Sequence, residues 1–151
     1  MTITRLNDHQ VAIKTNQTMV TIGDDKSIVI GTHEIQGPGE YDVAGVGLQM
    51  YDGTTMFLVE NLRVEVIFDQ PELSPDEELI EPDVFLVMTQ YDKTISELVK
   101  KVDPRAVVLF QPAGAEVLTK QEGDTVENQT TIKLTAQTLP VDSRQYFVLA
   151  E

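Results

Sequence analysis

The first 70 residues alternate between apolar and polar positions with the two-residue period of β-strands. β-Branched side chains recur in short runs, and polar turns such as Asn7-Asp8 and Gly23-Asp24-Asp25 separate them. This spacing predicts an antiparallel meander that buries one face. The predicted strands are Ile3–Leu6, Val11–Lys14, Met19–Ile22, Ser27–Ile30, Val43–Tyr51, Thr55–Glu60 and Arg63–Phe68.

Two capping boxes predict helices in the second half of the chain. Ser74-Pro75-Asp76-Glu77 places proline at a first helical position and predicts a short acidic helix over about 74–80. Thr94-Ile95-Ser96-Glu97 predicts a second helix, which Asp103-Pro104 ends. Its apolar stripe consists of Ile95, Leu98, Val99 and Val102.

Continuous apolar runs flank the second helix and indicate strands covered on both faces. These runs are Val84–Met88 and Ala106–Phe110. The β-α-β order predicts parallel pairing. After it we expect a brief helix over 112–120, a loop over 121–129, and closing strands over 131–136 and 145–150. The fold class expected is α+β or α/β, as a single domain over residues 1–151 with a β-rich first half and then βα units.

Composition limits the environment of the protein. The 151 residues include no cysteine, which excludes a disulfide framework, a cysteine-ligated zinc site and a thiol nucleophile. No apolar run has the length of a membrane span, and the first residues lack the apolar stretch of a signal peptide. We therefore expect a cytoplasmic protein.

The charge balance argues against anionic partners. With 25 acidic and 11 basic residues, the net charge of −14 repels nucleic acids and anionic membranes, so neither is an expected partner. The densest acidic stretch lies between Glu72 and Asp83. A solvated helix face explains this stretch best, and a surface for a basic partner is the alternative.

One segment carries a family resemblance. Ile35–Val46, which contains Gly37-Pro38-Gly39-Glu40-Tyr41 and leads into a predicted strand, resembles a run in the metallo-β-lactamase superfamily, in particular its small lactonase-like branch. The resemblance implies a shortened αβ/βα sandwich, with helices outside two sheets, and a metal-dependent hydrolase. The glycines are no phosphate-binding loop, because a strand follows them; we expect them to adopt positive φ.

The metal ligands of that family are missing. Its His-x-His-x-Asp-His motif is absent, and the chain has only two histidines. A catalytic zinc needs about three protein ligands. We therefore expect no catalytic residue, no cofactor and no metal. The weak candidates are Asp69, at the position of the family's bridging carboxylate, Asp8, His9 and His33. A structural turn is favoured for Asp69, a polar turn for His9 and a surface position for His33.

Two functional hypotheses follow. The first is a non-catalytic metallo-β-lactamase-like domain that acts by protein binding or self-assembly. Loss of the motif segment should uncover a sheet edge or an apolar face, and a homodimer is the simplest cover by symmetry. The alternative is a residual metal-dependent hydrolase of phosphodiester or lactone bonds.

Overall fold

The chain folds into two β-sheets that face each other across an apolar core. A computed structural model describes residues 1–50, 54–69, 81–110 and 126–150. Within these ranges the chain forms fourteen strands and one helix. The inward side chains of both sheets, such as Ile13, Val66 and Val108, are fully buried in one shared cluster.

The first sheet has six strands and is antiparallel throughout. Its strands are β1 (Thr2–Arg5), β2 (Gln10–Lys14), β3 (Met19–Gly23), β4 (Ile28–Ile30), β5 (His33–Ile35) and β13 (Thr131–Lys133). Their order is β13-β1-β2-β3-β4-β5. The meander predicted for the first four strands is confirmed, because each pairs antiparallel with the next.

The second sheet has eight strands and two kinds of pairing. Its strands are β6 (Gly39–Val43), β7 (Val46–Met50), β8 (Thr54–Val59), β9 (Leu62–Ile67), β10 (Val84–Val87), β11 (Ala106–Leu109), β12 (Val126–Gln129) and β14 (Gln145–Leu149). The order is β12-β14-β11-β10-β9-β8-β7-β6. β6 to β9 pair antiparallel, whereas β9, β10, β11, β14 and β12 pair parallel. The parallel pairing predicted for the two apolar runs is therefore confirmed.

One helix, α1 (Lys93–Val102), packs on the outer face of the eight-stranded sheet. Its predicted apolar stripe is confirmed: Ile95 and Val99 are fully buried, in one cluster with Phe85 and Val107. The predicted start is wrong by two positions. Asp92 is the N-cap, because its side chain accepts a hydrogen bond from the backbone N–H of Ile95.

The predicted αβ/βα sandwich is wrong. Of the described residues 51% are in strands and 8% in helix, so the protein is mostly β with two sheets. α1 covers the eight-stranded sheet, and the described residues place no helix on the six-stranded sheet. One β-α-β succession, β10-α1-β11, is present, but the second half does not continue as βα units. Between the parallel strands β12 and β14 the chain passes through β13, a strand of the other sheet. The helices predicted over 74–80 and 112–120 lie outside the described residues.

Two further predictions about strands are wrong. The strand predicted over Val43–Tyr51 is interrupted, because Ala44 and Gly45 have φ of 50° and 80° and turn β6 into β7. The loop predicted over 121–129 ends in a strand, β12. The expectation for the glycine run is confirmed: φ is 81° at Gly37 and 146° at Gly39.

Candidate functional site

The ends of the parallel strands meet turns of the other sheet at one end of the sandwich. In open α/β sheets, ligands bind at the carboxyl ends of parallel strands. Here Arg5, the last residue of β1, contacts Phe110 after β11 and Leu149 at the end of β14. The β3–β4 turn (residues 24–27) contacts Asp69 after β9 and, through Asp24, the β1–β2 turn (residues 6–9). We call this region the carboxyl end, and the region at the other ends of these strands the amino end.

Arg5 closes part of the carboxyl end from within. Its side chain is 8% exposed. Its Nη1 donates to the carbonyl oxygens of Phe110, at 2.9 Å, and Leu149, at 3.2 Å. The guanidinium also lies 4.5 Å from the centroid of the Phe110 ring. Carbonyls at the ends of two parallel strands are thus bound by a side chain of the opposite sheet.

His9 and Asp24 form a pair that joins the two turns. His9 Nδ1 lies 2.9 Å from Asp24 Oδ2, and the backbone N–H of Asp24 donates to the His9 carbonyl at 2.8 Å. The hydrogen bond to Asp24, and then the charge of that carboxylate, raise the pKa of His9 above 6.5. The ring is exposed and lies in the polar turn, where we expected it, but its partner, Asp24, lies in the β3–β4 turn.

The β3–β4 turn is held by its own side chains and reaches Asp69. Asp25 Oδ1 accepts hydrogen bonds from the Ser27 hydroxyl, at 2.6 Å, and the Ser27 N–H, at 3.0 Å. These bonds, the hydroxyl's first, lower the pKa of the Asp25 carboxyl. Lys26 has a φ of 72°, and its ammonium pairs with the Asp69 carboxylate. The carboxylate that resembles a bridging ligand is therefore a charge partner of a lysine.

The four weak candidates do not come together. Asp8, His9 and Asp69 lie at the carboxyl end, but each contacts a different partner: Asp8 lies 3.5 Å from an Arg5 nitrogen. His33 is exposed in β5 and pairs with Ile30, at the amino end. Within residues 1–50, 54–69, 81–110 and 126–150, no three His, Asp or Glu side chains are grouped to hold a metal ion.

An open depression lies between the two turns of the carboxyl end. It is lined by Asn7, His9, Gln10, Gly23, Asp24, Asp25 and Ser27. Its walls are polar side chains that already bond to one another, as in the pairs Asn7–Gln10, His9–Asp24 and Asp25–Ser27. The polar groups in these pairs therefore hold the turns in place.

Sequence reasoning missed Arg5 and Lys26. A signal existed for Arg5, because it follows Ile3 by two positions and so shares the inward face of β1. A charged residue at an inward position needs partners inside the fold. No spacing in the sequence indicates that Lys26 pairs with Asp69, 43 positions along the chain.

The outer face of the six-stranded sheet is a second candidate surface. One row of residues in register crosses all six strands: Thr131, Thr4, Ala12, Thr21, Val29 and Glu34. We call the first five the small-residue row, because none is larger than valine and none is charged. No described helix or strand packs on this face, and neighbouring Met19 is 39% exposed.

Comparisons with protein-family models, with curated proteins and with solved structures find no match to this chain. The resemblance to the metallo-β-lactamase superfamily therefore stays a prediction. In the part of the chain that the structure describes, no helix has the length and apolar character needed to cross a membrane.

Proposed function

We propose that this chain is a non-catalytic module that acts through protein contact, by self-assembly or by binding another protein. The observation that carries the proposal is the outer face of the six-stranded sheet. A sheet in a globular domain ordinarily buries one face and covers or solvates the other. The row crosses five strands with threonine, alanine and valine before it reaches Glu34 on the edge strand, and depletion of charged residues is typical of the centre of protein interfaces.

The chemistry of the carboxyl end supports contact over catalysis. A hydrolytic metal needs about three protein ligands and an open position for water. Asp69 pairs with Lys26, and His9 pairs with Asp24. Arg5 holds the strand-end carbonyls that would otherwise face a ligand. No contact among the described residues favours the alternative, the residual hydrolase.

The proposal includes the expected partners and compartment. A net charge of −14 disfavours nucleic acids and anionic lipids, so the partner is a protein. A chain without cysteine folds without disulfides, which fits the reducing cytoplasm.

The test combines metal content and mass on one preparation. The full chain is purified without chelator, its bound Zn, Mn and Fe are quantified, and its mass in solution is measured by sedimentation velocity. The proposal predicts that fewer than about one chain in ten carries a bound metal ion. It also predicts a species heavier than one chain. One equivalent of metal together with hydrolysis of a phosphodiester or lactone would establish the enzyme instead.

A further inference from the structure

We propose that a second copy of this chain covers the small-residue row, so that two six-stranded sheets pack face to face about a twofold axis. The inference rests on the proposed function and deepens it, because it names the partner and the surface. Three features support it: the small side chains of the row, the charges at its two ends and the area available.

The small-residue row permits close approach of two sheets. Facing sheets pack about 10 Å apart, with interdigitating side chains. Thr4 and Thr131 lie opposite each other with their hydroxyls 3.2 Å apart, and Ala12 follows Thr4 in register. Ala12 is buried, with 3% of its surface exposed. A second sheet would therefore contact its neighbours in the row, Thr4, Thr21, Val29 and Thr131, which are partly or fully exposed.

The charges on either side of the row have opposite sign. Towards the amino end, the next outward row contains Lys133, Thr2, Lys14 and Met19, and both lysines are exposed. Towards the carboxyl end the strands lead into turns that contain three aspartates, Asp8, Asp24 and Asp25. The same turns contain Lys26, which pairs with Asp69, and His9, which pairs with Asp24, so acidic groups are in excess there. One edge of the face is therefore basic and the other is acidic.

This arrangement is complementary to itself. A twofold axis that runs in the plane between the two facing sheets, at right angles to the strands, reverses the strand direction of the second copy. It brings the lysines of one copy over the acidic turns of the other, and the reverse contact is identical by symmetry. The acidic Glu34 lies on edge strand β5, outside the small-residue row.

Charge also explains why another copy approaches through this surface. Two chains of net charge −14 repel each other on average. The outer face of the six-stranded sheet carries Lys14, Lys133 and Glu34, so it is an exception to the acidic average. Approach through this face therefore meets two lysines and one carboxylate, and so less repulsion than the acidic average of the chain.

The available area predicts a weak dimer. Six strands of three to five residues, spaced about 4.8 Å apart and about 10–17 Å long, give a face of about 400 Å². A stable complex buries about 800 Å² on each partner, so the row and the adjoining turns together provide a small interface. We expect a dissociation constant of the order of micromolar, in the range of transient contacts.

The first test is sedimentation equilibrium of the full chain from about 0.1 μM to about 1 mM, a range that brackets the expected constant. Thr21→Arg, at the centre of the row, should raise the dissociation constant at least tenfold. Leu58→Arg is the matched control, since Leu58 is 52% exposed on the eight-stranded sheet; it should leave the constant unchanged. Val29→Lys on β4 replaces Thr21→Arg if that variant loses its far-UV circular dichroism.

The second test exchanges charges. Lys14→Glu should raise the dissociation constant about tenfold, and addition of Asp8→Lys should restore it, because the two positions face each other across the axis. If the wild type dimerises and neither Thr21→Arg nor Lys14→Glu changes the constant, the face is wrong and the proposed function stands. If the wild type is a monomer over the whole range, self-assembly itself is contradicted.

Discussion

Arg5 acts as a bridge between the sheets, and its role is visible at the level of single hydrogen bonds. A buried guanidinium that donates to two carbonyls replaces water that these groups would otherwise bind. Hydrogen bonds to a charged group contribute about 1.5–3 kcal/mol. The residue therefore stabilises the carboxyl end at the place where a ligand would compete with it.

Replacement of Arg5 by methionine should destabilise the fold by about 2–3 kcal/mol, because both carbonyls lose a charged donor while the apolar stem is kept. Urea unfolding at pH 7 measures this difference. Arg5→Lys is the control: lysine keeps a charged donor but lacks the planar guanidinium that lies 4.5 Å from the centroid of the Phe110 ring, so an intermediate loss is expected. A loss below about 0.5 kcal/mol for Arg5→Met, the size of an ordinary surface change, would refute the bridge.

The His9–Asp24 pair makes a prediction about pH. Asp24 raises the pKa of His9 above 6.5, so Asp24→Asn should lower the midpoint of the His9 ring titration followed by NMR. His9→Gln identifies the signal. Because the folded pKa is raised, the pair stabilises the protein at acidic pH, and this contribution is lost as the pH rises through the folded pKa. A midpoint that is the same in Asp24→Asn and wild type would contradict the pairing.

At the scale of elements, the start of α1 shows what a motif can and cannot predict. Both Asp92 and Thr94 are residue types that cap helices. The apolar stripe predicts the helix and its buried face, because a period of 3.6 residues is a property of the segment itself. The two candidate caps lie two residues apart, and backbone geometry decides between them. The apolar stripe does not determine that geometry.

The assigned cap can be tested by substitution. Asp92→Ala should destabilise the protein by about 1 kcal/mol, since the Ile95 N–H loses its acceptor. Thr94→Ala should change the free energy of unfolding by less than about 0.5 kcal/mol, because Thr94 is exposed in the first turn. Chemical denaturation of both variants is the measurement. The opposite ranking would restore the cap that the sequence predicts.

The strand boundaries were predictable only where turn residues are distinctive. Asn7-Asp8 and Gly23-Asp24 are strong turn signals, and the strands that flank them are confirmed. Ala44-Gly45 is a weaker signal, because alanine seldom adopts a positive φ, and so the hairpin between β6 and β7 was missed.

At the scale of the whole molecule, sheet order depends on contacts between distant segments. β13 pairs with β1 across the full length of the chain, and β12 joins the parallel strands beside β14. Neither pairing follows from the local pattern of apolar and polar residues. The meander of the first four strands could therefore be predicted, whereas the prediction of an αβ/βα sandwich was wrong.

The same limit applies to the candidate site. The expectation of no three-ligand metal site could be drawn from the sequence, because it needs only the number and spacing of histidines. The sequence could not indicate that no described helix or strand packs on the outer face of the six-stranded sheet. Nor could it indicate that lysines and acidic turns lie at opposite ends of this face. Both facts depend on strand register, because the register determines which residues of neighbouring strands lie side by side on one face.

The most direct test of the account is the mass of the wild-type chain in sedimentation equilibrium as its concentration increases. The account predicts a rise from the mass of one chain towards that of two, with a midpoint of the order of micromolar. A mass that stays at one chain up to about 1 mM, far above that midpoint, would contradict assembly as the function of this protein.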